Sequence, residues 1–338
     1  MSEMKIISSL SDIYLNQDNF PIFFWDKWKA VEEKLHNKQR LLCADEENNV
    51  VAFTIYTMKF FKKADYLYAP LDKNGNRLSV EKEKTFLDEF HNHLKENKIA
   101  DAIFPPSHIS LFKCIPDKVI YYQLGLLYVD LSRSEEDIYS DINSRNRRYI
   151  KQSQTQNLFT DLHSNDINSL YACLKETNRK EGVGTYPKEY YRMIKDILSD
   201  NCDIAIIKNG QGPLSSVFLL NDLKNVYACY AGTFFSKEYG GANKLLYWNM
   251  YQKYKSQGHL KFIYGGYRYG LTEKDKLFNV QEFKLRMGAK IENGYHFIKV
   301  INPLKYNLVN FAMKCKSLLT GKNYSFVNLK GLDVKKSK

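Results

Sequence analysis

DIAIIKNGQGPLSSVFLLNDLKNVYACYAG, residues 203–232, contains three strand-like runs separated by short turns. The runs are residues 203–208, 214–221 and 225–232, and each is rich in the β-branched and aromatic side chains that favour strands. Glycine and polar residues lie between the runs, as they do in tight turns. The stretch therefore predicts an antiparallel meander of three strands.

Helices and strands are predicted to alternate on both sides of this meander. Residues 124–132 form a strand-like run, and residues 134–154 follow as a helix that Ser134 caps. The other predicted elements are helices over 166–180 and from Pro187, a helix over 241–256, a strand over 261–264, a helix that carries residues 283 and 284, and a strand over 290–301. This order of elements is similar to that of the GNAT acyltransferase fold.

The first 123 residues show a fainter version of the same order. Strand-like runs are found at residues 39–45, 50–56 and 65–71, followed by a predicted helix over 79–97 and a short strand over 99–104. We therefore expect an α/β (α+β) protein with tandem GNAT-like domains, whose mixed sheets are flanked by helices. A degenerate N-terminal domain is predicted over 1–123, completed by 303–338. The acyltransferase domain is predicted over 124–302.

Composition restricts the class of protein. Hydrophobic residues make up 44% of the 338 residues and charged residues 26%, which is typical of a globular chain. No apolar run approaches the roughly 20 residues of a membrane span, and no secretory leader is evident at the start, so we expect a cytoplasmic protein. The six cysteines form no C-x-x-C pair, and no metal site is expected.

The net charge of +12 favours phosphate-rich partners. RNA, a nucleotide-linked substrate and an anionic membrane face all satisfy this condition. A lysine-rich surface that serves only solubility explains the charge equally well.

Three stretches resemble a known family. They are VDLSRSEEDIYSDINSRNRRYIKQSQTQN (129–157), GGANKLLYWNMYQKYKSQGHLKFIYGG (240–266) and FNVQEFKLRMGA (278–289). In these stretches the chain resembles the Fem-type (FemAB-like) peptidyltransferases, which add amino acids to peptidoglycan precursors. The sequence departs from the family pattern at Tyr264, where the family often has an acidic residue, and at Ala289, where it often has a second glycine.

The resemblance implies a catalytic role for Lys284 and a packing role for Phe283, which would hold that lysine in place. Acyl transfer to an amine passes through a tetrahedral oxyanion, and a fixed positive group can stabilise this charge or that of the leaving group. The alternative is a solvated helix lysine beside a core phenylalanine.

Two further groups of residues are candidates for binding the substrate or the acyl donor. Lys237, Gly240, Gly241 and Ala242 have the spacing of the pyrophosphate loop in CoA-using GNAT enzymes, although glycines here also permit a tight start to a helix. Arg145, Arg148 and Lys151 lie on one predicted helical face that suits the phosphates of tRNA or of a cell-wall precursor, or is simply solvated. Tyr267 and Arg268 complete the candidate set, and the other candidates for a groove wall are Tyr186, Tyr190, Tyr191 and Tyr269.

The resemblance thus implies an acyltransferase that moves an aminoacyl group from charged tRNA to an amine of a nucleotide- or lipid-linked peptidoglycan precursor. No tightly bound cofactor is expected. The first alternative is an acyl-CoA-dependent N-acyltransferase acting on an amino sugar or a surface-polysaccharide precursor. The second is a non-catalytic module that binds RNA or glycan.

The C-terminal segment, residues 302–322, is predicted to form an amphipathic helix. Its apolar stripe consists of Leu304, Leu308, Phe311, Cys315 and Leu318. We expect this stripe to pack on the first domain, and peripheral contact with a membrane surface is the alternative.

Overall fold

The computed structural model describes residues 3–107, 109–234, 236–321, 324–327, 329 and 332–337. The chain divides into two compact units. The first unit comprises Met1–Gly125, Arg268–Gly270 and Asn293–Lys338, and the second comprises Leu126–Tyr267 and Leu271–Glu292.

The helices and strands alternate along most of the chain. The helices are α1 (Asp26–His36), α2 (Val80–Glu96), α3 (Glu135–Asp141), α4 (Ser144–Gln154), α5 (Ile167–Glu181), α6 (Lys188–Leu198), α7 (Ala242–Ser256), α8 (Lys276–Arg286) and α9 (Pro303–Thr320). The strands are β1 (Lys5–Ile7), β2 (Gln39–Ala44), β3 (Val50–Met58), β4 (Phe61–Tyr66), β5 (Ala102–Phe104), β6 (Ile120–Asp130), β7 (Phe159–Asp161), β8 (Cys202–Asn209), β9 (Gly212–Asn221), β10 (Asn225–Thr233), β11 (Lys261–Tyr267), β12 (Lys290–Val300) and β13 (Lys335–Lys336).

The first unit is built on a mixed sheet. Strands β1 to β4 pair antiparallel in chain order, and β5 then pairs parallel to β4 after the chain has crossed through α2. The second half of β12 pairs antiparallel with β5. Helix α2 buries Phe86, Phe90 and Leu94 in one core with Phe53 and Tyr66 of the sheet, as the four-residue spacing of its apolar side chains predicts.

The second unit repeats this arrangement. Strands β7 to β10 pair antiparallel in chain order, and β11 pairs parallel to β10 after the crossing through α7. Helix α7 is buried on most of its surface, with Leu246, Met250 and Tyr251 at most 1% exposed, because it packs on both the sheet and α4. Each unit therefore contains a meander, a crossing helix and a parallel strand, and the expected α/β (α+β) fold with two similar halves, mixed sheets and flanking helices is confirmed.

Strands β10 and β11 stay paired over only part of their length. Their register runs from Asn225 opposite Lys261 to Tyr227 opposite Ile263, whereas β10 continues to Thr233 and β11 to Tyr267. A bulge in β10, between Ala228 and Tyr230, coincides with this separation. Two parallel strands that part in this way open a gap between them in the sheet.

The structure corrects three details of the predicted elements. The helix predicted over 134–154 is divided into α3 and α4, because Ile142 adopts an extended backbone and Asn143 starts a new helix by accepting a hydrogen bond from the N–H of Arg145. The strand predicted over 65–71 lies earlier, in β4. Helix α9 ends at Thr320, and Lys322, the last residue of the segment predicted to be helical, lies outside the described residues.

The predicted domain boundaries also differ from the observed units. Residues 124–125, 268–270 and 293–302 were predicted to lie in the second domain, but they belong to the first unit. The reason for the larger difference is the pairing of β12, which is joined to β5 through Lys299 and Val300.

Candidate active site

The second unit contains a cleft of about 860 Å³. Three parts of the chain form its walls: the first turns of α4, the segment that leads into α7 together with the first turn of α7, and the outer face of α8. The lining residues are Asn143, Ser144, Arg145, Asn146, Tyr149, Ser236, Lys237, Gly240, Lys244, Asn279, Glu282, Phe283 and Arg286.

The start of α4 is held against the end of α8 by two hydrogen bonds, one from the backbone of Asn143 and one from the side chain of Asn146. The N–H of Asn143 donates to the carbonyl oxygen of Arg286 at 3.0 Å, and Nδ2 of Asn146 donates to the same oxygen at 3.0 Å. This carbonyl belongs to the last residue of α8, where helix carbonyls have no partner within the helix. The contact therefore satisfies the end of α8 and fixes the start of α4 beside it.

The cleft is strongly basic. It is lined by Arg145, Lys237, Lys244 and Arg286, against a single carboxylate, Glu282, which lies 3.2 Å from Arg286. Among the described residues, neither Arg145 nor Lys244 forms a salt bridge. Unpaired cations in a concave site attract anions, and phosphate groups most strongly.

Two of these cations share one aromatic ring. The guanidinium carbon of Arg145 lies 5.8 Å from the centre of the Tyr149 ring, and Nζ of Lys244 lies 5.2 Å from it. Nζ of Lys244 also donates to the carbonyl oxygen of Gly240 at 2.7 Å. Burial, and then the charge of Arg145, lower the pKa of Lys244. A bound anion would offset both effects, because it would neutralise the two cations together.

The glycines before α7 have different surroundings. A Cβ on Gly241 would lie 2.3 Å from Oγ of Ser153 and 2.6 Å from the carbonyl oxygen of Tyr149, whereas a Cβ on Gly240 would meet nothing closer than 3.5 Å. Gly241 thus allows α7 to approach the backbone of α4. The N–H of Ala242 donates to the carbonyl oxygen of Tyr239 at 3.0 Å and is not available to a phosphate.

Lys284 is half-buried near the end of α8 and does not line the cleft. Its Nζ donates to the carbonyl oxygen of Tyr264 at 2.9 Å. Tyr264 is the first residue of β11 beyond the pairing with β10, so the lysine lies where the two strands separate. Burial lowers the pKa of Lys284 to about 8, and within the described part of the chain its ammonium has no carboxylate partner.

The ring of Phe283 packs edge-on against Tyr247, with the ring centres 5.4 Å apart, and also lines the cleft. Tyr247 in turn contacts Tyr264, whose hydroxyl is hydrogen-bonded to that of the buried Tyr251. Phe283 therefore connects the basic cleft with the aromatic packing around the backbone that Lys284 contacts.

The structure brings some of the candidate residues into this cleft and leaves others outside it. Arg145, Lys237, Gly240 and Phe283 line the cleft, and Lys284 follows Phe283 in the chain but is not among the lining residues. Gly241 and Ala242 are buried in packing between helices. The remaining candidates are Arg148 and Lys151, which are exposed and do not line the cleft, Tyr267, which is half-buried at the end of β11, and Arg268, which belongs to the first unit.

The tyrosine candidates are also separated. Tyr186 stacks on Tyr190 with 4.3 Å between ring centres, and the hydroxyl of Tyr190 lies 3.2 Å from that of Tyr230 on β10. Tyr191 is buried beneath them. Tyr269 belongs to the first unit. None of these tyrosines is among the residues that line the basic cleft.

Several cleft residues were not identified from the sequence. Lys244 and Tyr149 each lie four residues after a predicted candidate, Gly240 and Arg145, and this helical spacing was a usable signal. Glu282 was not among the predicted site residues. Its neighbour Arg286, also four residues away, lines the same wall.

Comparison with solved structures identifies the fold. The crystal structure of FemX superposes with a TM-score of 0.70 at 10% sequence identity, covering 90% of this chain and 99% of that one. The chain has the fold of FemX.

Two other solved structures match less closely than FemX. The C-terminal domain of a putative lysylphosphatidylglycerol synthetase from Agrobacterium fabrum has a TM-score of 0.51 at 12% identity, covering 86% of this chain and 91% of that one. The structure of L-PGS from Bacillus licheniformis has a TM-score of 0.50 at 12% identity, covering 88% and 97%. No protein-family model and no curated protein sequence matches the chain.

The described residues contain neither a metal-binding group nor a membrane-spanning helix. No group of three or more His, Cys, Asp or Glu side chains in the described ranges is arranged to hold a metal ion. No described helix has both the length and the apolar content needed to cross a membrane.

Proposed function

We propose that this protein is an aminoacyltransferase of the Fem type that acts in the cytoplasm. In this proposal the protein moves an aminoacyl group from charged tRNA to an amine of a peptidoglycan precursor that carries a nucleotide or a lipid. The observation that carries the proposal is Lys284, a half-buried ammonium group without a carboxylate partner in the described structure, held at the point where β10 and β11 separate. Burying such a group is costly, and sites that do so are candidates for chemistry.

The proposed reaction requires charge stabilisation at two stages. The acceptor amine attacks the ester carbonyl, a C–N bond forms, and the carbonyl oxygen becomes negative. The C–O bond to the 3′ oxygen of the tRNA then breaks, and the proton released by the amine is finally carried by that oxygen. A lysine with a pKa of about 8 is mostly protonated at neutral pH, yet it can release and regain a proton readily.

Lys284 has the donors for this role. Its Nζ carries three N–H bonds, and only the one directed at Tyr264 has an acceptor among the described residues. The two others are available to a developing oxyanion or to the departing 3′ oxygen. Phe283 supports the lysine through its packing on Tyr247.

The basic cleft is proposed to hold the phosphates of a substrate. Arg145 and Lys244 both lie near the Tyr149 ring, 5.8 and 5.2 Å from its centre, and neither forms a salt bridge in the described structure; two such cations suit a diphosphate or the terminal phosphates of tRNA. The acyl-CoA alternative loses part of its support, because Gly241 is explained by its contact with α4 and the N–H of Ala242 is already bonded, while Lys237 and Gly240 of the same pattern line the cleft.

A donor comparison tests this proposal. The protein is incubated with a peptidoglycan precursor and with either a mixture of tRNAs charged with labelled amino acids or labelled acetyl-CoA, and transfer to the precursor is measured. A precursor whose amine has been acetylated is the control for the acceptor. We expect label from charged tRNA on the free amine alone. Transfer from acetyl-CoA with none from tRNA would contradict the proposed donor, and no transfer from either would favour a binding module.

A further inference from the structure

Helix α9 exposes a continuous apolar stripe to solvent. Leu304, Phe311 and Leu318 are 82%, 66% and 86% exposed, and Leu308 and Leu319 are 55% and 88% exposed. The stripe was expected to pack on the first domain, and this expectation is wrong. Monomeric proteins rarely leave so many large apolar side chains together in water, so the stripe requires an occupant.

The stripe lies on the side of α9 opposite to the packed one. At 100° per residue, positions 304, 308, 311, 315, 318 and 319 fall within an arc of about 100°. Tyr306 and Val309 lie on the other side of the helix and pack on the cluster that contains Phe61, Phe104 and Ile298. The fold of the first unit therefore uses one side of α9 and leaves the apolar stripe outward.

Charge distinguishes between the candidate occupants. Helix α9 contains Lys305, Lys314 and Lys316 and no acidic residue. Lys305 pairs with Asp101 at 3.1 Å, whereas Lys314 and Lys316 are exposed and, at 100° per residue, flank the stripe. Residues 303–338 contain eight lysines and one aspartate, a net charge of +7 out of the +12 of the whole chain. A second copy of the chain would bring two such segments together, and they would repel each other. An anionic lipid surface attracts them and also accepts the stripe.

We propose that α9 is a membrane-surface helix that binds anionic phospholipid bilayers. The helix lies parallel to the surface, its stripe enters the boundary between headgroups and acyl chains, and Lys314 and Lys316 contact the lipid phosphates. This site goes beyond the proposed transfer reaction and involves neither Lys284 nor the basic cleft. Its function is to hold the protein on the surface that carries lipid-linked molecules.

Vesicle sedimentation tests the proposal with the full-length protein. The vesicles contain either a mixture of phosphatidylglycerol and phosphatidylcholine or phosphatidylcholine alone. We expect the wild-type protein to sediment with the anionic vesicles and to remain in the supernatant with the neutral ones. The double variant Leu308→Ser/Phe311→Ser is expected to bind more than about ten-fold more weakly, because two exposed side chains that would enter the bilayer have been made polar.

The matched control is Phe159→Ser/Leu223→Ser, which removes one phenylalanine and one leucine of similar exposure, 58% and 61%, from the second unit. This variant is expected to bind as the wild type does. Unchanged thermal unfolding of both variants establishes that they are folded. Wild-type binding by Leu308→Ser/Phe311→Ser would overturn the proposal. A second result would also overturn it: neither protein binds vesicles, and sedimentation velocity shows that the wild type is a dimer and the variant a monomer.

Discussion

Replacing Lys284 by methionine separates a catalytic lysine from a structural one. If the lysine serves only to tie α8 to the carbonyl oxygen of Tyr264, its loss destabilises the fold. If the lysine has a catalytic role, its loss removes activity while the variant remains at least as stable as the wild type. Methionine is suited to the test because it preserves most of the apolar length of the side chain.

The magnitudes follow from burial. A pKa lowered from 10.5 to about 8 means that the folded state holds the ammonium at a cost of about 3 kcal/mol, at roughly 1.4 kcal/mol per pKa unit. Leaving the oxygen of Tyr264 without its donor costs about 1–3 kcal/mol in the opposite direction. We therefore expect the free energy of unfolding of Lys284→Met at neutral pH to be between unchanged and about 2 kcal/mol higher than that of the wild type.

The pH dependence supplies a second measurement. Between the folded pKa of about 8 and the ordinary value of 10.5, the unfolded chain binds more protons at this residue than the folded chain does. The cost of holding Lys284 in the folded state is therefore full below pH 8 and decreases as the pH rises through this window, so the stability of the wild type rises with pH. Lys284→Met lacks this rise, so its advantage over the wild type narrows by about 1 kcal/mol between pH 7 and pH 9.

Urea denaturation at both pH values and the transfer assay check these expectations. We expect kcat to fall by about 10²–10³-fold with little change in KM, since the lysine acts on charge that develops during the reaction. Lys276→Met is the matched control, because this exposed lysine of the same helix also donates to a backbone carbonyl, that of Glu181. The catalytic interpretation would be refuted if Lys284→Met lowered the free energy of unfolding by more than about 2 kcal/mol and activity fell only in proportion to the fraction of protein that remains folded.

Three other perturbations have defined outcomes. Gly241→Ala is expected to lower the free energy of unfolding by about 1–3 kcal/mol because its Cβ meets the backbone of α4, while Gly240→Ala has little effect; thermal unfolding compares the two. Lys244→Gln is expected to weaken tRNA binding and to reduce by about one the slope of the logarithm of the affinity against the logarithm of the salt concentration. The control is Arg148→Gln, an exposed position on the same helix as Tyr149, for which affinity and slope stay near the wild-type values; filter-binding titrations measure both variants. Burial holds the pKa of His91 well below 6.5, so the unfolded chain binds a proton at this residue before the folded chain does, and stability is lost as the pH falls below 6.5. In His91→Leu the midpoint of urea denaturation is therefore expected to depend less on pH.

The sequence predicted the middle of the second unit well for a physical reason. Residues 203–232 contain short apolar runs whose ends are marked by turn residues, and both signals are local. The division between α3 and α4 was missed because Ile142 is an apolar residue in helical register. Its extended conformation depends on Asn143 and on the contact of that residue with Arg286, which is far away in sequence.

The site was predicted less completely than the fold. Lys284 was singled out through resemblance, but its contact with Tyr264 depends on where two strands separate, and no local pattern contains that information. Lys244 was overlooked although it lies four residues after Gly240, because its place in the cleft depends on Tyr149 and Arg145, which lie about 100 residues earlier in the sequence. Long-range packing thus determined which of many basic residues face the cleft.

The close contact at Gly241 has a consequence for selectivity. Two helices that meet at backbone distance cannot slide easily, so α4 and α7 hold the backbone positions of Arg145 and Lys244 at a separation that does not depend on the ligand. When an anion whose length matches this separation binds, the helices therefore lose little conformational entropy. An anion of another length is not accommodated by a movement of the helices. A residue with no side chain therefore sets the size of ligand that two charged side chains prefer.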